Sequence, residues 1–161
     1  MLDEKSIKHI EQQKTKCGFA VAGGLAANGV SYAYTIGMVA HGLPELIVIG
    51  PDFIMCGALA HEAAHKFIEE GRPADEEVFD MHESNFALKA VTQHEIIQDM
   101  APVAFQYNAT LKPEQFAQLV LADENNLLPW QPGFNFDEAP HQTLLWQAEE
   151  QTGAPLGYLL H

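Results

Sequence analysis

Positive charge is what this sequence has least of. Its 161 residues hold 22 Asp and Glu against 8 Lys and Arg, a formal net charge of −14, and Arg72 is its only arginine. Lys5, Lys8, Lys14 and Lys16 fall in the first sixteen positions, so the rest of the chain cannot build a basic face. Neutralising nucleic-acid phosphates or docking on an anionic membrane requires such a face. Neither is expected as a partner; a basic protein, a divalent cation or a plainly solubilising acidic surface fits the charge. Cysteine is nearly as scarce. Cys17 and Cys56 have no metal or redox spacing and imply no disulfide framework, which points to a reducing, cytoplasmic setting. Apolar runs reach only about six to eight residues, against ~20 for a bilayer-spanning helix. The opening MLDEKSIKHIEQQ has no secretory apolar core. Ser6, Ser31 and Ser84 stand outside any G-x-S-x-G elbow, and Gly23, Gly24 and Gly29 do not form a phosphate-cradling loop.

What is present describes one globular domain over 1–161. An apolar fraction of 47% and a charged fraction of 19% are those of a folded soluble protein, and a chain of this length buries roughly two thirds of its unfolded surface. Asp3–Lys16 reads as a polar helix with Ile7 and Ile10 on one stripe. A strand at Gly18–Ala22 follows, with Gly23-Gly24 and Asn28-Gly29 read as turn punctuation. Ser31–Met38 is rich in aromatic and β-branched residues, and Leu46–Ile49 is a continuous apolar run, the mark of a strand covered on both faces. Asp52 can cap a long helix that Gly71 and Pro73 end. Phe86–Thr92 alternates as a strand, His94–Tyr107 reads as a helix bent or split by Pro102, and Phe116–Leu121 fits either class. Residues 123–130 read as a hairpin, and 130–140 as an ordered, aromatic loop. The fold expected is α+β: a mainly antiparallel sheet, open or barrel-like, flanked by helices.

Several segments occur in a telling order: Gly18-Phe19-Ala20-Val21, Tyr32-Ala33-Tyr34-Thr35-Ile36-Gly37, Pro44-Glu45-Leu46-Ile47-Val48-Ile49-Gly50, then Asp123, Pro129-Trp130, and Gln142 with Leu145. Together they resemble a bacterial domain family of unknown function that carries a Y-T-I/V-G…P-E-L-I-V-x-G block and a late D…P-W…Q-x-x-L block. The likeness spans about residues 7–145. It implies a family core over 17–145, an N-terminal helix over 1–16 and a C-terminal extension over 146–161, and it carries no substrate, cofactor or catalytic residue.

Two places could carry function. Glu45 opens a buried strand, where a carboxylate needs a partner. Tyr34, Thr35 and Glu45 could form a structural hydrogen-bond set tying two strands together. Alternatively Tyr34, Thr35, His41 and Glu45 could line a small-molecule pocket with Trp130 and His141. The second place is His61-Glu62-Ala63-Ala64-His65. Histidines at i and i+4 on a helix can both reach one zinc ion, with the intervening Glu62 as general base. A third ligand is then needed, Glu83 first, with His82 and His94 as other candidates. At 100° per residue Cys56, Ala60, Ala63, Ala64, Phe67 and Ile68 form the core stripe of that helix, which leaves His61 at its edge and His65 towards the polar side. A solvated helix face explains the same residues, as does incidental metal binding.

The leading expectation is a domain that binds a small molecule or another protein, with homo-oligomers allowed. The alternatives are a zinc-dependent hydrolase using the HEAAH helix, and a flavin-binding split barrel, which rests on fold-level analogy alone. The residues do not decide whether the protein is an enzyme.

Overall fold

The computed structural model describes residues 2–26, 29–50, 52–136 and 142–146, together with the backbone of 159–160. Helix α1 (Glu4–Cys17) starts on the Asp3 side chain, which accepts from the Ser6 N–H at 2.7 Å, and ends at Gly18 in the left-handed conformation. Strands β1 (Ala20–Leu25), β2 (Ser31–Ile36) and β3 (Glu45–Gly50) follow as an antiparallel meander. Helix α2 (Phe53–Glu70) comes next, then β4 (Phe79–Met81) and β5 (Ser84–Ala90), α3 (His94–Met100), α4 (Pro102–Tyr107) and β6 (Phe116–Leu121). A short pair, β7 (Gln142–Thr143) and β8 (Leu159–Leu160), stands apart.

The six main strands lie in the order β1-β2-β3-β6-β5-β4, antiparallel except for β3 with β6. The sheet is open, with β1 and β4 as its two edges, so the barrel-like variant does not form and the split-barrel flavin analogy loses its fold basis. Helix α2 covers one face, burying Cys56, Ala60, Ala63, Ala64 and Phe67 against Ala33, Leu46, Val48, Leu88 and Leu119. Those helix residues are the expected stripe, and the small alanines let the helix lie close to the strands. Ile10 of α1, Ile97 of α3 and Ala104 of α4 pack with Tyr34, Ile47, Ile49 and Phe116 on the opposite face. With layers on both sides, β3 is buried at every residue, which is why it reads as an unbroken apolar run.

Three local readings change. Gly23-Gly24 is not a turn: β1 runs through it to Leu25. A Cβ at Gly23 would come within 2.7 Å of the Phe53 ring, and one at Gly24 within 2.5 Å of the Tyr32 hydroxyl. These glycines serve close approach rather than chain reversal. Residues 123–130 form a turn instead of a hairpin: Asp123 Oδ1 accepts from the N–H groups of Asn125 and Leu127 at 2.9 Å, and Oδ2 from Asn135 at 2.8 Å. Phe116–Leu121 resolves as a fully buried strand. The break at Pro102 occurs as expected, with α3 ending at Met100 and α4 starting at Pro102. Of the 130–140 loop, 137–140 lie outside the described residues. No described helix is long and apolar enough to cross a membrane.

Candidate functional site

Glu45 lies at the start of β3, buried, and every described contact of its carboxylate is a donor. The Thr35 hydroxyl donates to Oε1 at 2.7 Å and the Met38 N–H at 3.1 Å; the Gly37 N–H donates to Oε2 at 2.9 Å, with Val39 N–H at 3.5 Å. Thr35 in turn accepts from the Leu46 N–H at 2.8 Å. Gly37, at φ 113°, makes the tight turn that aims successive N–H groups at one carboxylate. Burial pushes the Glu45 carboxyl above its ordinary range, while Thr35 and the three N–H groups pull against that shift. The set joins the end of β2, the following turn and β3 into one knot.

The other pocket candidates are not gathered around it. Tyr34 is buried on the α3–α4 face, stacked near Tyr32 with ring centres 6.2 Å apart, and burial pushes its phenol up to about 12. His41 is exposed and donates to the Gly18 carbonyl at 2.8 Å. Trp130 packs on Ala87, Val120 and Leu128 over β5 and β6, edge-on to Trp146 at 5.9 Å. His141 lies outside the described residues. Cys56, its thiol raised to about 11 by burial, is inert core.

Open space lies instead along α2. A cleft of about 520 Å³ is lined by Lys16, Cys17, His61, Glu62, His65, Lys66, Glu69, Glu70, Met81 and His82. A second, of about 420 Å³, is lined by Met55, Ala58, Leu59, Phe86 and Leu121 with a rim of Ser84, Asn85, Asp123 and Asn126. Both are lined by Glu62, Met81 and His82. The turn between β4 and β5 carries His82 and Glu83 at positive φ, and this bend brings the His82 Nε2–H to the Glu62 carboxylate across from α2. His65 pairs with Glu69 at 3.0 Å and Lys66 with Glu70 at 3.0 Å, while the His61 ring lies 5.0 Å from Phe19. A third cleft, of about 450 Å³, lies outside the Gly37–Ala40 turn against Lys14 and Tyr107.

The structure thus puts His61 and His65 in one cleft but leaves Glu83 out of its lining. Among the described residues no group of three or more His, Cys, Asp or Glu is close enough to hold a metal ion. Glu62, the residue a zinc hydrolase would use as base, is turned to His82. His94 donates locally to the Val91 carbonyl at 3.2 Å.

Over residues 10–135 the sequence matches the profile described as Domain of unknown function (DUF4262). The chain belongs to that family. No curated protein and no solved structure matches it. Within this DUF4262 domain, the Tyr-Thr-Ile-Gly and Pro-Glu-Leu segments supply the Thr35–Glu45 knot. Beyond the matched residues, the Gln142 side chain bonds both the N–H and the carbonyl of Leu121, while the Gln118 side chain accepts from the Leu145 N–H and donates to the Thr143 carbonyl. The sequence pattern assigns Met55 and Leu59 no role and reads Phe86 only as a strand residue, yet all three line the second cleft. A signal existed: Met55, Leu59 and Glu62 recur at i, i+4 and i+7 on a face of α2 away from the alanine stripe.

Proposed function

We propose that this DUF4262 domain binds a small amphipathic acid in the paired clefts along α2. Its apolar part would lie between Leu59 and Phe86, and its carboxylate at Lys16 and His61. One observation carries this reading: the two clefts are neighbours that share Glu62, Met81 and His82 as lining residues, which sets an apolar arm beside a polar arm. Volumes of this size are typical of small-molecule sites, and the second cleft has the mostly apolar wall with a few polar groups that such sites show. The polarity of the head group follows from pairing. Glu62, Glu69 and Glu70 are matched by His82, His65 and Lys66. Lys16 and His61, both of which can donate, have no hydrogen bond or ion pair among the described residues.

Calorimetric titration with octanoate tests the proposal. Binding is expected, and Leu59→Glu, which places a charge in the apolar arm, should weaken it by about tenfold or more. Lys16→Glu should weaken it through the head group. Binding that survives both substitutions, or no binding by octanoate and its shorter and longer homologues, would overturn the assignment.

A further inference from the structure

The two edges of the sheet are built differently. β4 is three residues long, carries Asp80 at its centre and runs into a turn with two residues at positive φ. Shortness, charge and a local bend are the devices by which sheets keep an edge from pairing with another chain. β1, at the other edge, has none of them. Its six residues, Ala-Val-Ala-Gly-Gly-Leu, include no charge and no proline, and among the described residues it pairs only with β2. Apolar side chains at it are open: Leu25, the last residue of the strand, is 69% exposed and Phe53, over Gly23, 54%, and Ile54, the next residue of α2, is 81% exposed. Phe53 is held at this edge by its contact over Gly23.

We infer that β1 pairs antiparallel with β1 of a second copy of this chain, joining two sheets into one across a two-fold axis. The open N–H and C=O groups of an edge strand are satisfied by another strand. An antiparallel pair of identical strands is its own two-fold mate, so the same patch serves both copies and needs no second surface. The pairing sets each Leu25 beside the Ala20 end of the partner strand, with Phe53 and Ile54 flanking the seam. Leu25, Phe53 and Ile54 leave roughly 350 Å² of side chain open, and a six-residue strand edge adds a comparable area. The total approaches the ~800 Å² per partner of a standard interface from below, which makes the dimer reversible rather than obligate. Charge then fixes the salt response. Two copies at −14 repel while the patch itself is uncharged, so salt screens the repulsion and tightens the dimer. A basic partner on the same edge would respond in the opposite sense.

Sedimentation velocity of the whole chain, from low micromolar to near-millimolar concentration and at two salt levels, tests this. A monomer–dimer equilibrium that tightens with salt is expected, and a Leu25→Lys/Ile54→Lys double variant should stay monomeric with an unchanged Tm. Hydrogen exchange on the unaltered protein supplies a readout independent of that variant: the β1 amides facing away from β2 should gain protection as concentration rises. A chain that stays monomeric throughout, a dimer indifferent to the two lysines, or one whose β1 amides gain no protection would overturn the inference.

Discussion

Glu45, at the start of β3, and Glu62, in the middle of α2, are both carboxylates, and their surroundings separate holding a fold from holding a ligand. Glu45 is buried and receives a hydroxyl and backbone N–H groups from Thr35, Gly37, Met38 and Val39. Nothing is left over for a ligand, and no solvent-facing cleft touches it among those described. Glu62 lines two neighbouring clefts, opposite a single histidine from a distant turn. A fully matched buried group stabilises the chain it belongs to; a half-exposed pair between open spaces contributes little to folding and is free to exchange partners.

The largest way to break this contrast is Glu45→Ala. It strands the Thr35 hydroxyl and at least two buried N–H groups, each worth about 1–3 kcal/mol when unsatisfied, so urea denaturation should show a loss of about 3 kcal/mol or more. A near-neutral result would mean the knot is not structural. Next comes pH. The folded carboxyl of Glu45 lies above its unfolded value of 4.5 because burial disfavours its charge. Its protonation-linked stability is therefore fully present below 4.5 and is lost as pH rises through the folded value. The stability difference between the native chain and Glu45→Gln, measured by denaturation across pH, should shrink as pH rises through that window. A difference that grows instead would show that the donors outweigh burial. The smallest effect belongs to the other region. Glu62→Gln and His82→Ala remove an exposed pair and should each change stability by less than about 1 kcal/mol. A larger loss would place Glu62 with Glu45 among the groups that hold the fold.

Much of the fold was legible because single residues carry local instructions. Asp52 caps α2 through the N–H groups of Ile54 and Met55, and the alanine stripe and the apolar β3 run found the partners their periodicity demanded. Glycine misled, since the same residue serves a turn or a close contact. Only Phe53 and Tyr32, which arrive from elsewhere in the chain, show that Gly23 and Gly24 serve contact. Three-residue β4 was too short to leave a pattern. The structural alternative for Thr35 and Glu45 could be stated from sequence, but choosing it required the turn at Gly37. HEAAH placed one wall of the groove on α2. Its other wall comes from Met81, His82 and Phe86, whose position depends on the β4–β5 turn folding back onto that helix. No spacing within α2 encodes that.

The central claim, that this domain binds its ligand along α2 and not around Glu45, is tested most directly by two-dimensional amide NMR during an octanoate titration. The account predicts saturable shifts at residues 55–66 and 81–86, with residues 34–39 and 45–46 unmoved. Shifts confined to the Thr35–Glu45 knot would contradict it.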